Sequence, residues 1–141
     1  MNLTGAFLGT KHCLPLLRQS CGCIVNVASG AGLVGVRRGP AYAASKGGLI
    51  ALTRQLAVDY AADGVRVNAV CPGVVDTPLV RRLIDFETDR EGELSRMAAA
   101  QPLGRLGSPE EIARVIYFLA SEDASFMTGA IVPVDGGYTA R

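Results

Sequence analysis

No apolar run in this sequence approaches the roughly 20 residues that a membrane-spanning helix requires, although 49% of its 141 residues are hydrophobic. Arg54, Asp59 and Asp63 interrupt one long apolar segment, and Arg114, Glu122 and Asp123 bracket another. The mean hydropathy of +0.27 therefore suits a buried half of a larger fold better than a bilayer. Charge of one sign is missing as well: 14 Lys and Arg stand against 13 Asp and Glu, for a net charge of +1. Nucleic-acid binders concentrate basic residues on one surface, so nucleic acid is not an expected partner. The one basic pair, Arg37-Arg38, reads as part of a solvated loop before it reads as a contact for an anionic substrate. Histidine occurs once, at His12, and Cys13, Cys21, Cys23 and Cys71 include no Cys-x-x-Cys. The four-ligand spacing of a zinc site is absent, and no metal is expected. The cysteines are expected to be buried or half-buried free thiols, which fits a reducing cytoplasm. Met1-Asn2-Leu3-Thr4 offers neither a basic leader nor a small-residue cleavage site, so no secretory signal is expected. No internal repeat or low-complexity tract is present.

What the sequence does contain is an alternation of helix and strand signals. The pattern predicts a helix over 3–18, a short β-branched strand over 24–27, and a loop punctuated by Gly30, Gly32, Gly35 and Gly39 up to Pro40. A long helix over 41–62 follows, stopped by Asp63-Gly64, where glycine can take the left-handed cap conformation. The next strand, 65–70, is ended by Pro72-Gly73. Residues 77–100 are more charged and less regular, with a polar centre at 85–91, and read as a mobile lid better than as core. Ser108-Pro109-Glu110-Glu111 is the clearest local signal: an N-cap serine, a proline at the first helical position and a glutamate three residues after the cap. The helix it starts runs to about 121, and a last strand covers 130–134. Strands alternating with helices at this spacing predict an α/β fold with right-handed crossovers and a parallel sheet. The length is within the range of one domain, taken here as residues 1–141.

Chemistry enters at Tyr42-Ala43-Ala44-Ser45-Lys46. Residues four apart on a helix share a face, and an ammonium beside a phenol favours the phenolate, drawing a group of reference pKa about 10 toward proton exchange at neutral pH. Alone, Tyr-x-x-x-Lys is a common solvated helix face. Here Ser29 precedes Tyr42 by thirteen residues, after Ile24-Val25-Asn26-Val27-Ala28, and Asn2 lies twenty-seven residues before Ser29. Asn68-Ala69-Val70-Cys71-Pro72-Gly73-Val74-Val75-Asp76-Thr77-Pro78 follows a second strand pattern, and Val134-Asp135-Gly136-Gly137 closes the series. In this order and spacing the motifs resemble the short-chain dehydrogenase/reductase family, from Asn2 to Gly137, and in particular its 3-oxoacyl-carrier-protein reductases and sugar or polyol dehydrogenases.

The resemblance implies the C-terminal part of a Rossmann-like, doubly wound parallel sheet in three layers, α/β/α. The family's opening strand, glycine-rich turn and helix, which hold the dinucleotide pyrophosphate, have no match, since Gly5 and Gly9 fall inside a helix-like segment; the expectation is a chain lacking that N-terminal unit. The implied activity is NAD- or NADP-dependent interconversion of a ketone and a secondary alcohol. Tyr42 would be the proton donor, Lys46 would favour its phenolate and bond the nicotinamide ribose, and Ser29 would bond the substrate oxygen. Asn2 would hold a water of the proton relay; its plainer reading is a helix N-cap. Pro72 and Gly73 would approach the nicotinamide, with the backbone near Val75 and the Thr77 hydroxyl on its carboxamide. Asp135-Gly136-Gly137 would be a tight turn at a subunit contact. The family pairs subunits through the two long helices, so a dimer or tetramer is implied; the helix from 41 carries Leu49, Ile50, Leu52, Leu56, Ala57 and Val58 around much of its circumference, and Gly47 and Gly48 would allow close helix approach. A second reading is a non-catalytic chain that docks onto full-length relatives.

Overall fold

The computed structural model describes residues 2–37 and 39–140. Arg38, half of the basic pair, and Met1, part of the leader reading, lie outside the described residues, whereas Arg37 is exposed in its loop. Three strands, β1 (Cys23–Val27), β2 (Arg66–Pro72) and β3 (Ile131–Val134), form one parallel sheet in the order β1-β2-β3. β1 pairs with β2 from Cys23 opposite Arg66 to Val27 opposite Val70, and β2 pairs with β3 from Ala69 opposite Ile131 to Pro72 opposite Val134. Parallel neighbours need long crossovers. Helix α1 (Thr4–Ser20) precedes β1, and α2 (Pro40–Tyr60) makes the first crossover. The second is made by α3 (Pro78–Ile84), α4 (Arg90–Ala99) and α5 (Pro109–Ala120).

Side chains alternate across a strand, and this places the helices on opposite faces. Val67 and Ala69 of β2 pack with Leu49, Ile50, Leu56 and Ala57 of α2. On the same face the buried Asn26 side chain donates to Thr53 Oγ1 at 2.9 Å. The intervening residues meet α5: Cys23 Sγ donates to the Ala120 carbonyl, and the Arg66 guanidinium donates to the Leu119 and Ser121 carbonyls at 2.9 and 3.1 Å. A cation there meets the carbonyls that a helix leaves unpaired at its C-terminus. The result is the expected three-layer α/β/α arrangement. β1 has β2 as its only strand neighbour among the described residues, and Val27 is 46% exposed at that edge.

The local signals act as their chemistry demands. The Ser108 side chain accepts from Glu111 N and the Glu111 carboxylate accepts from Ser108 N, closing the capping box of α5. Gly64, at φ 75°, ends the turn Ala61–Asp63 by donating to the Ala61 carbonyl. Some expectations are corrected. β2 continues through Cys71 and Pro72, because a proline is tolerated at a strand end where its missing N–H breaks no ladder. The segment over 77–100 is more regular than its charge suggests: α3 and α4 are capped by Thr77 and Asp89, which accept from Val80 N and Gly92 N. Both helices stay thinly packed, with Ile84 the one buried residue in α3 and none in α4.

Cys71 is buried and Cys23 half-buried, but Cys13 and Cys21 are exposed, contrary to the expectation for all four. The cause is α1, which leaves much of its circumference uncovered: Phe7, Leu8 and Leu16 are 50%, 45% and 68% exposed. Gly48 makes room for the Leu3 side chain, whereas Gly47 faces the backbone at Gly32 and not another helix. No helix among the described residues is long and apolar enough to cross a membrane.

Candidate active site

The strands of a parallel sheet deliver ligand-binding residues at their carboxyl ends, and of the sequence-predicted residues Ser29 follows β1, while Pro72 ends β2 and Gly73 follows it. Ser29 follows the end of β1 in extended conformation, and its Oγ accepts from Ala31 N at 3.2 Å, capping the turn Gly30–Gly32. That turn is pressed onto α2. A Cβ on Gly32 would stand 2.8 Å from the Lys46 carbonyl carbon and 2.9 Å from Gly47 N, so only glycine permits this close approach of the turn that Ser29 caps to the second turn of α2. Lys46 answers from the helix: its Nζ donates to the Val27 carbonyl, the last of β1, at 2.8 Å, and lies 5.8 Å from the centre of the Tyr42 ring. Burial lowers the Lys46 pKa from 10.5, an effect opposed by Cys71. The Cys71 thiol is itself pushed up by burial, against a backbone hydrogen bond from Ser29.

Tyr42 sits in the first turn of α2, 45% exposed. Its hydroxyl and the Ser29 hydroxyl proton have no protein partner among the described residues, which leaves both free for a substrate oxygen. Asn2 is not the N-cap of α1; that position is Leu3, with no side-chain cap. Instead Asn2 Nδ2 reaches Ser45 Oγ at 3.4 Å, and Ser45 Oγ donates to the Tyr42 carbonyl at 2.7 Å. Asn2, Tyr42 and Ser45 line one shallow cavity with Leu3, Thr4 and Ala41. Asn2, Ser29, Tyr42 and Lys46 are thus brought to one end of α2.

The second group stands at the end of β2. Pro72 O lies 3.6 Å from where a Gly30 Cβ would be, so this strand end flanks the Ser29 turn. Gly73 N donates to the Val134 carbonyl at 3.1 Å. Val75 forms a parallel bridge with Gly107. Thr77 Oγ1 accepts from Val80 N at 3.3 Å, and its hydroxyl proton stays available. No described contact joins Val75 or Thr77 to Tyr42 or Lys46.

Sequence reading missed three supports. Gln101 is 2% exposed and bonds Val74 N and the Arg105 carbonyl. Asp135, with no chemistry assigned, accepts from Gly137 N, Thr139 N and Thr139 Oγ1. Burial opposes its ionisation, but the bonds from Thr139 and Gly137 outweigh it and hold the carboxyl below 3.8. They also curl the tail so that Tyr138 and Thr139 rest against Gly30. Arg105 grips Glu111 through two bonds at 2.9 and 2.7 Å. Only the Glu111 cap had a local signal; Gln101 had none.

The fold is a Rossmann-like α/β sheet, the architecture of a large class of oxidoreductases. The family model described as enoyl-(acyl carrier protein) reductase matches residues 1–139, and the chain belongs to the short-chain dehydrogenase/reductase family. It is 49% identical to 2-(S)-hydroxypropyl-CoM dehydrogenase 3 of Xanthobacter autotrophicus, over 99% of this chain and 55% of that protein. To cis-4-hydroxycyclohexanecarboxylate dehydrogenase of Sinomonas cyclohexanicum it is 51% identical, over 99% of this chain and 54% of the relative. The solved structure of ElxO with NADP bound superposes with a TM-score of 0.89 at 34% identity, covering 99% of this chain and 56% of that one. The chain thus spans about half the length of the relatives it matches.

Proposed function

We propose that these residues are the catalytic part of an NAD- or NADP-dependent oxidoreductase that interconverts a ketone and a secondary alcohol. The observation that carries this reading is the Tyr42 phenol beside the Lys46 ammonium, fixed to the end of β1 by the 2.8 Å bond to Val27 O, with the Gly30–Gly32 turn that Ser29 caps packed on the same helix. The names of the two dehydrogenases, each specifying a secondary alcohol, and the NADP in the ElxO structure support it.

The donor set suits a dinucleotide. An ammonium carries three protons; one from Lys46 goes to Val27 O, and the others can bond ribose hydroxyls. The Thr77 hydroxyl proton and the backbone near Val75 suit a carboxamide, beside the tight Pro72-Gly73 turn. A bound nicotinamide supplies the hydride in reduction and accepts it in oxidation. In reduction, Ser29 donates a hydrogen bond to the carbonyl oxygen, and Tyr42 transfers its proton to that oxygen as charge develops. The Lys46 cation stabilises the phenolate left behind. Asn2 keeps its side-chain oxygen free to hold a water that returns the proton to Tyr42. Oxidation runs the same transfers in reverse.

The proposal extends to three further features. The thinly packed 77–100 segment acts as a lid over the substrate. The uncovered Phe7, Leu8 and Leu16 of α1, with Val58 of α2 at 78% exposure, pair with a second copy in a dimer or tetramer, which sedimentation would resolve. The working compartment is the cytoplasm. Tyr42→Phe in the full-length polypeptide tests the chemistry. With cyclohexanone as probe, turnover should fall by about a hundredfold to ten-thousandfold while binding of NADH or NADPH, followed by fluorescence, stays intact. Turnover that survives the change would overturn the proposal.

A further inference from the structure

Gln101 occupies an unusual place. It lies directly after the 77–100 segment, and its partner Val74 lies just before that segment, so one side chain closes the segment at its base. The closure is specific in chemistry: Oε1 accepts from Val74 N at 3.0 Å, and Nε2 donates to the Arg105 carbonyl at 2.7 Å. An acceptor and a donor on one buried group of this reach are what a glutamine amide provides. A shorter asparagine misses, and an ionised glutamate has no proton for Arg105 O. The neighbouring backbone groups are committed elsewhere. Gly107 N donates to Val74 O at 3.0 Å, Asp76 N donates to Gly107 O at 2.9 Å, and Gly73 N donates to Val134 O. The turn has also closed tightly on the amide. A Cβ on Gly73 would run into Gln101 Oε1 and stand 2.8 Å from Asp135 Cα. Val74 N is therefore the one amide of this group that depends on a side chain.

We propose that Gln101 is a positioning residue: its buried amide clamps the 73–76 turn to the 101–107 loop, so that α3 and α4 can move while the turn that faces the nicotinamide stays fixed. The consequence for turnover rests on the function proposed above; the clamp itself does not. Removing the amide frees Val74 N, loosens the turn and weakens dinucleotide binding, raising its KM more than it lowers kcat.

Hydrogen exchange at the Val74 amide of the full-length polypeptide, read by NMR, tests this. In Gln101→Ala, protection of Val74 should fall by about tenfold or more, with a smaller change at Gly73 and Asp76. Gln101→Glu separates positioning from packing, and decides the matter if the alanine variant does not fold. Burial favours the neutral acid, which has both an acceptor and a proton. Its Val74 protection should match the parent at low pH, where the neutral acid offers both an acceptor for Val74 N and a proton for Arg105 O. Unchanged Val74 protection in Gln101→Ala, or protection of Val74 lost at low pH in Gln101→Glu, would overturn the clamp. A Tyr42→Phe variant that kept its turnover would sink the reaction and leave the exchange result standing.

Discussion

One proton of the Lys46 ammonium is committed to Val27 O, and that bond decides where the charge sits. A lysine is otherwise a flexible point charge; here the end of β1 holds it beside the Tyr42 ring. Position rather than residue type makes the pair useful. The same holds for Glu111, which caps α5 and accepts from both terminal guanidinium nitrogens of Arg105. The Arg105 hydrogen bond first, and the Ser108 backbone bond second, bring its pKa down from 4.5 to about 2. A carboxyl whose folded pKa is depressed adds stability that is fully present above the unfolded value and is lost as pH falls through the folded one. The contribution should thus persist down to about pH 4.5 and fade toward pH 2. The carboxyl carbon shift of Glu111 should titrate near the lower value; a midpoint near 4.5 would show that the Arg105 grip is absent in solution.

At the scale of elements, the site depends on how the Gly30–Gly32 turn docks on α2. Backbone atoms of Lys46 and Gly47 stand where a Gly32 Cβ would be, and backbone cannot turn aside as the end of a side chain can. Gly32→Ala should push the turn off the helix, cost about 1–3 kcal/mol in denaturant unfolding, and lower turnover of the folded fraction by misplacing Ser29. An alanine variant as stable and active as the parent would mean that the turn is not held by this contact. The capping box of α5 was readable in sequence because its partners sit three residues apart, and the Tyr42-x-x-x-Lys46 pair because helix geometry fixes its spacing. Helices α3 and α4 were not. Their charged faces bury almost nothing, so the periodic apolar signal that marks a packed helix is missing.

At the scale of the molecule, the α/β alternation and parallel sheet were legible because each strand is bounded by turn signals and separated by a helical length. The candidate site is named in sequence as a list of motif positions: Asn2, Ser29, Tyr42, Lys46, Pro72, Gly73, Val75 and Thr77. Its architecture is not, since Lys46 to Val27, Asn2 to Ser45 and Gln101 to Val74 are contacts between distant residues, and a buried amide reads in sequence like any polar surface residue. Asn2 shows the gap most plainly, reading locally as a cap yet reaching across to α2. The most direct measurement is transfer of deuterium to cyclohexanone from NADH or NADPH deuterated at C4 of the nicotinamide, followed by mass spectrometry of the cyclohexanol formed by the full-length polypeptide. Deuterium on the carbinol carbon, with product formed about a hundredfold or more slowly by the Tyr42→Phe variant, is the predicted result. Cyclohexanol formed without deuterium at that carbon, or formed equally by the phenylalanine variant, would contradict the proposed reaction.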